Sequence, residues 1–221
     1  MARDKSAKRK KREQRVKEKR RREQERDSAE GVARRGAKAE VYDCRITQTW
    51  REPEALVEVL LARRIPNDGR LAVGVFLLDP GCLGLKSAFV TRLLDADYKD
   101  LRERMQGGPQ ERCSPGLARM VIEAAIEYAD NLGFKPDPDG HAAMMLFGDT
   151  EPEGDRSQVQ LGGKDGKPLF ISGPNDNARR IIAQLRERCG EDGFNYVLPF
   201  EGPETLGLHD IDDEVVIEDI V

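Results

Sequence analysis

The chain of 221 residues carries 37 Lys and Arg against 41 Asp and Glu, which gives a formal net charge of -4 at pH 7. Its longest strongly apolar stretch, Leu71 to Leu78, has eight residues, whereas a helix needs about 20 to span a bilayer, so we expect no membrane span. With only two histidines, an imidazole-rich metal centre within one chain is excluded.

Charge is distributed unevenly along the chain. Residues 1–38 hold 17 Lys and Arg against seven Asp and Glu, which leaves 20 basic and 34 acidic side chains in residues 39–221. This asymmetry is typical of a basic arm that meets a polyanion, attached to a separately folded body. The sequence therefore predicts a basic arm over residues 1–38, one globular domain over 39–200 and an acidic tail over 201–221.

Within the arm, the segment from Lys8 to Arg26 consists almost entirely of good helix formers. Its only sizeable apolar residue is Val16, so a helix here has no stripe with which to dock on the body. We expect either a projecting helix or a disordered arm, with Gly31 and Gly36 forming a flexible joint to the body.

The arm has no aromatic side chain on which a base could stack, so its contacts would be to phosphates, with weak sequence preference. RNA or the ribosome is expected rather than a specific DNA site, because no recognition-helix motif is visible. A solubilising charge run without a ligand is the alternative. The residues predicted to contact nucleic acid are Lys8, Arg9, Lys10, Lys11, Arg12, Arg15, Lys17, Lys19, Arg20, Arg21, Arg22 and Arg26.

The body opens with strand patterns. Apolar and polar side chains alternate from Val41 to Trp50, as in a half-buried strand. Leu56–Ile65 and Leu71–Leu78 flank a turn sequence in which Gly69 supplies a positive φ, which predicts a hairpin. Whether Pro53-Glu54-Ala55 instead begins a short helix stays open.

Helices are predicted in the middle of the body. Asp95 to Met105 has a helical pattern, and Ser114-Pro115 is an N-cap followed by proline at the first helical position. The helix that begins there has one apolar face and ends at Gly133. A short apolar helix is predicted from His141 to Phe147.

The last part of the body combines a hairpin, a helix and a strand. Ser157–Leu161 and Pro168–Ser172 flank a glycine-rich turn, which predicts a second hairpin. A helix follows from Ala178 to its stop at Gly190, and Phe194–Phe200 is the last predicted strand. Two hairpins, flanking strands and about four helices, without strict βα alternation, predict an α+β fold with a largely antiparallel sheet.

No cofactor or metal is predicted. The glycine-rich turn at residues 162–168 lacks phosphate-loop spacing. A calcium loop around Asp137, Asp139 and Gly140 would place Lys135 and Leu146 at its first and last ligand positions, which neither residue can fill. The four cysteines have no paired C-x-x-C spacing, so we interpret them as reduced thiols in a cytoplasmic protein.

A secondary site is considered at the glycine-rich bend that holds Asp79, Cys82 and Lys86. Lys86 could lower the pKa of the Cys82 thiol, with His141 as a base, which would make a Cys82-dependent enzyme. A small buried thiol is the ordinary interpretation. Arg179 and Arg180 would supply a secondary phosphate contact beside Asn175-Asp176-Asn177, a segment that helix capping alone also explains.

A resemblance can be stated on these residues. Four features resemble a group of uncharacterised bacterial proteins. They are the basic leader, which is the arm of residues 1–38, the strand with its hairpin, the motif D-x-x-C-L-G-x-K at Asp79 to Lys86 and the motif G-K-D-G-K-P-L-F-I-S-G-P-N-D-N at Gly163 to Asn177. The resemblance covers most of the body. It implies a bacterial cytoplasmic α+β domain and carries no activity and no functional residue to this chain.

The leading hypothesis is therefore a non-enzymatic accessory protein whose basic arm binds RNA. The first alternative is a protein-interaction adaptor whose acidic body and tail recognise a basic partner. The second alternative is the Cys82-dependent enzyme. Oligomeric state stays open at this point.

Overall fold

The structure is a computed structural model that describes residues 27–105 and 107–198, together with Lys17 and Gln24. Of the arm residues predicted to contact RNA, only Lys17 belongs to this part of the chain, where it is helical and exposed. The other eleven arm residues and the predicted acidic tail lie outside the described residues.

The body is built on a five-stranded antiparallel sheet with the strand order β4-β3-β2-β1-β5. Its strands and its helices confirm the predicted α+β class. The strands are β1 Val41–Thr47, β2 Val57–Arg64, β3 Leu71–Asp79, β4 Gly84–Leu93 and β5 Gln110–Arg112.

The first half of the sheet follows the predicted pattern. β2 and β3 pair from Val57 with Leu78 to Arg64 with Leu71, which confirms the first hairpin. Gly69 in its turn has the expected positive φ of 67°. β1 ends at Thr47, since the residues that follow form a 3-10 turn instead of continuing the predicted strand.

β4 is a ten-residue strand that the sequence patterns did not predict. It follows the Asp79–Cys82 bend and begins at Gly84, whose φ is 67°. A Cβ at Gly84 would lie 2.6 Å from the Cβ of Ala129, so glycine is needed both for the backbone conformation and for the close approach of a helix.

Five α-helices are described: α1 Ala29–Gly36, α2 Asp95–Arg104, α3 Pro115–Asn131, α4 Gly140–Met145 and α5 Ala178–Cys189. The predicted capping of α3 is confirmed, because the Ser114 hydroxyl accepts a hydrogen bond of 3.1 Å from the backbone N–H of Leu117. Gly133 follows the helix end with a φ of 84°. The predictions of α2, α4 and α5 are also confirmed.

The predicted flexible joint at Gly31 and Gly36 is wrong. Both glycines lie in α1, whose Val32 and Ala33 are buried in the core. A Cβ at Gly36 would lie 2.6 Å from the Cβ of Ala72, so this glycine lets the helix approach the sheet closely. The buried residues of α1 are Val32, Ala33 and Gly36. Three residues are too few for a clear periodic pattern in the sequence, yet they are enough to dock a short helix on the sheet.

The second predicted hairpin is also wrong. Residues 157–161 form no strand, and part of this segment is a 3-10 turn at Arg156–Gln158. β6 Leu169–Ile171 pairs instead with β7 Asn195–Val197, in parallel. Helix α5 is the crossover that a parallel pair requires. The predicted last strand contains β7, and its final two residues lie outside the described part of the chain.

Helices cover the two faces of the sheet unequally. One face packs against α1, α3 and α4 and forms the main core around Leu61, Phe76 and Phe147. The opposite face, which carries Leu60, Ala62 and Val73, packs against α2. We call this second face the open face, because its Phe89 remains 43% exposed.

Candidate anion-binding pocket on the open face

A pocket of about 230 Å³ lies on the open face, between α2 and the strands β1 and β5. Helix α2 begins two residues after β4 and crosses the open face toward β1. Side chains from these three elements surround the space. We call it the cationic pocket, and its lining residues are Tyr42, Asp43, Tyr98, Lys99, Arg102 and Arg112.

Asp43 forms the floor of the pocket and is only 7% exposed. Its carboxylate accepts hydrogen bonds from Arg45 Nε at 2.8 Å and from the Tyr98 hydroxyl at 3.0 Å. Arg112 Nε lies 3.3 Å from its other oxygen. Burial alone would raise the pKa of Asp43, but these hydrogen bonds and the charges of the two arginines lower it below the ordinary value. Asp43 is therefore ionised, and both of its carboxylate oxygens contact donors.

The two tyrosines form an aromatic wall. Their rings meet edge to face, with centroids 5.7 Å apart and an interplanar angle of 81°, the arrangement that ring quadrupoles favour. Burial, with the Asp43 charge, raises the pKa of Tyr98, so its hydroxyl keeps its proton and donates to Asp43. The Tyr42 hydroxyl donates to Asp95 at the start of α2.

The rim of the pocket carries exposed cations. Arg112 is 74% exposed at its side chain, and Lys99 is 58% exposed while it pairs with Asp95 at 2.8 Å. Arg102 lies one helical turn after Lys99 and pairs with no carboxylate among the residues that the structure describes. The cations of the pocket and its ion pairs exceed the carboxylates by two charges: Arg45, Lys99, Arg102 and Arg112 against Asp43 and Asp95.

The exposed cations of this arrangement are suited to contact with an anion. The lining has no thiol and no imidazole, its carboxylate is held by three donors, and its buried tyrosine stays protonated. A general base or a nucleophile needs a free lone pair near neutral pH. What the pocket does offer is a set of exposed N–H donors and a tyrosine ring.

The secondary site predicted at the Asp79–Lys86 bend is brought together by the fold, but as a packed turn. Asp79 accepts a hydrogen bond of 3.0 Å from the backbone N–H of Cys82, and Lys86 donates to Asp176 at 2.8 Å. Burial raises the pKa of the Cys82 thiol in spite of the Lys86 charge. Cys82 is fully buried, and no hydrogen bond joins it to the exposed His141. This geometry matches a structural turn.

Arg179 and Arg180 lie in the first turn of α5, as predicted. The Asn177 side chain accepts a hydrogen bond of 3.1 Å from the backbone N–H of Arg180, which confirms the capping interpretation of the preceding segment. Asp176 is engaged with Lys86 and with the backbone N–H of Gly173. These arginines belong to a different part of the fold from the cationic pocket.

Sequence reasoning missed the cationic pocket. The alternation in β1 places Asp43 and Arg45 on the polar side of the strand, and the polar side of a half-buried strand is expected to face solvent. The spacing of Lys99 and Arg102 put both side chains on one face of the predicted helix. No local pattern, however, could bring Tyr98 to Asp43, because 55 residues separate them.

In the described part of the chain, no helix combines the length and the apolar character that crossing a membrane requires. Within the same residues, no cluster of three or more His, Cys, Asp or Glu could hold a metal ion. Comparisons of the chain with protein families, with curated proteins and with solved structures each found no match. The features of this chain that bear on function are the geometry of the cationic pocket and the charge of the leader.

Proposed function

We propose that this protein binds the phosphate backbone of RNA, through its basic leader and the cationic pocket together. The observation that carries the proposal is the surplus of two positive charges around the pocket, on a body that is acidic as a whole. Exposed arginine and lysine side chains with free N–H donors are the groups that contact phosphate oxygens in nucleic-acid complexes.

The described end of the leader, at Asp27, lies at the same end of the sheet as the pocket. Asp27, just before α1, pairs with Arg92 near the end of β4 at 3.1 Å. The strand registers place the end of β4 in one row with the start of β3, the end of β2 and the start of β1, which carries Tyr42. Three strand spacings of about 4.8 Å separate β4 from β1, about 14 Å in all. Because α1 lies on the covered face and the pocket on the open face, an RNA backbone that contacts both passes around this end of the sheet.

The size of the pocket favours backbone contact over base recognition. Its volume of about 230 Å³ is below the roughly 300 Å³ at which ligand pockets usually begin. Lys99 and Arg112 at its rim are exposed, and Arg102 is partly exposed, so these cations can follow a chain of phosphates, as in proteins that bind nucleic acid through electrostatic contacts. We therefore expect strong salt dependence and weak sequence preference.

Arg102→Ala tests the proposal, because within residues 27–105 and 107–198 this arginine has no carboxylate partner to lose. We expect the affinity for a structured RNA to fall about threefold to tenfold, and the slope of log affinity against log salt to decrease by about one. Fluorescence anisotropy over a salt series measures both. Arg104→Ala is the matched control, since Arg104 lies on the same helix but pairs with Asp100 at 3.8 Å and is 78% exposed away from the pocket lining.

Removal of residues 1–26 tests the leader while it keeps α1 intact. We expect this deletion to remove the larger share of the salt dependence, about 5 to 8 phosphate contacts. Equal affinities for the Arg102 and Arg104 variants would remove the pocket from the proposal. A flat salt response of the full chain, or co-purification of a basic protein that survives nuclease treatment, would reject RNA binding in favour of the adaptor hypothesis.

A further inference from the structure

Two thiols face each other on neighbouring strands. Cys44 lies in β1, Cys113 directly follows β5, and their Sγ atoms are 3.7 Å apart. The backbone N–H of Cys113 donates to the carbonyl of Cys44 at 3.1 Å, which extends the register of the Arg45–Arg112 pair. Directly opposed, hydrogen-bonded residues of antiparallel strands have Cα atoms about 5.5 Å apart. A disulfide requires about 4.4 to 6.8 Å between its Cα atoms, so the backbone is already suitable for a bond.

The two thiols differ in accessibility. Cys44 is 4% exposed and belongs to the main core, whereas Cys113 is partly exposed at the edge of the sheet. Cys82 and Cys189 belong to a separate apolar cluster, and Cys189 is the last residue of α5. A small reagent can therefore reach Cys113 from solvent. The buried Cys44 sulfur lies within contact distance of the Cys113 sulfur.

We propose that Cys44 and Cys113 are a redox-active dithiol that exchanges with low-molecular-weight disulfides and closes to a cross-strand disulfide between β1 and β5. This assignment is independent of RNA binding. It concerns the face of the sheet opposite to the cationic pocket, and it ties the three-residue strand β5, which carries Arg112, to the strand that carries Asp43.

The chemistry follows from the hydrogen bond between the thiols. Either sulfur can donate in this contact, but Cys113 is the thiol that solvent reaches. When Cys44 donates, the hydrogen bond lowers the pKa of Cys113 and raises that of Cys44, so Cys113 supplies the thiolate. Its sulfur attacks the external disulfide, forms a mixed disulfide and releases one thiolate. Cys44 then attacks the Cys113 sulfur, and its proton passes to the second departing thiolate. Two protein thiols are oxidised to a disulfide, and one small disulfide is reduced to two thiols.

Incubation of the folded full chain with oxidised glutathione, followed by alkylation, digestion and mass spectrometry, tests this proposal. We expect the protein to lose two hydrogen atoms, two of its four free thiols to become unreactive toward the alkylating agent, and one linked peptide pair to contain Cys44 and Cys113. The oxidised protein should also unfold at a higher denaturant concentration, because the cross-link joins residues 69 positions apart.

Single variants identify the role of each thiol. Cys44→Ala should stop at a stable glutathione adduct on Cys113, whereas Cys113→Ala should form neither adduct nor cross-link. The double variant Cys82→Ala/Cys189→Ala should react like the unaltered chain. A lasting adduct on Cys113 of the unaltered chain, a Cys82–Cys189 bond, or no change in thiol count would each overturn the proposal. The results on the unaltered chain decide the matter even where an alanine variant fails to fold.

Discussion

Asp43 is the residue on which the cationic pocket depends. It connects three parts of the chain: Arg45 from its own strand, Tyr98 from α2 and Arg112 from β5. A buried carboxylate is stable only when its lone pairs are matched by donors and cations. The same contacts that satisfy Asp43 therefore position the tyrosine wall and one rim arginine.

Asp43→Asn should lower the free energy of unfolding by about 2 kcal/mol at pH 7, because the charge that Arg45, Tyr98 and Arg112 contact on the open face is removed. The pKa of Asp43 is lowered in the folded protein. Its contribution to stability is thus present above the unfolded-state pKa of about 3.9 and is lost as the pH falls through the folded-state pKa. The stabilities of the unaltered chain and of the Asp43→Asn variant should therefore become equal at acid pH. Denaturant unfolding of both proteins between neutral and acid pH measures this.

Asp149→Asn provides the control, since Asp149 is exposed and its substitution should leave stability within about 0.5 kcal/mol at every pH. A stability difference for the Asp43 variant that stayed constant at acid pH would contradict the charged role of this residue. The sequence placed Asp43 correctly in a half-buried strand. Its contacts with Tyr98 and Arg112 could not be predicted from the sequence, because these residues come from elements that are distant along the chain.

Among the elements, β4 shows how close packing depends on a single glycine. The strand begins at Gly84, where helix α3 approaches with Ala125 and Ala129. Two alanines on the helix and a glycine on the strand remove the side chains that would otherwise keep the two backbones apart. This contact positions α3 on the covered face and leaves the opposite face of the sheet for α2 and the pocket.

Gly84→Ala should destabilise the protein by about 3 kcal/mol, because it combines an unfavourable positive φ of 67° with a Cβ only 2.7 Å from the carbonyl oxygen of Ala125. Gly69→Ala is a matched control with the same φ of 67° and no atom within 4 Å of the added Cβ, so it should cost about 1 kcal/mol. Chemical denaturation compares the two variants, and equal losses of stability would show that packing at Gly84 is unimportant.

At the scale of the whole molecule, opposite charges share one chain. The leader of residues 1–38 carries ten more positive than negative charges, and residues 201–221 carry eight acidic side chains without Lys or Arg. Attachment to one chain gives the two segments a high effective concentration for each other. The tail is therefore expected to compete with RNA phosphates for the leader.

Truncation after Phe200 should tighten RNA binding about twofold to fivefold at low salt, and the gain should disappear as salt screens the attraction. Anisotropy titrations at several salt concentrations measure the effect. Replacement of the eight acidic residues by Asn and Gln is the matched control, since it removes the charge and keeps the length. If truncation acts while neutralisation does not, the tail influences binding through something other than its charge.

The sequence by itself determined the features that depend on neighbouring residues. The β2–β3 hairpin follows from Gly69 between two apolar runs, and the start of α3 follows from Ser114-Pro115. Turn conformation, capping and periodicity act over a few residues, so they can be read along the chain. The charged leader is equally a property of composition.

Only the tertiary structure decided which distant segments meet. It docked α1 on the sheet, paired β6 with β7 in parallel across α5, and brought Cys44 to Cys113. Such contacts depend on the burial of apolar surface and on backbone pairing between segments far apart in the chain, and neither leaves a local pattern. The cationic pocket belongs to this second group, because its lining comes from three separate elements that meet only when the sheet is formed.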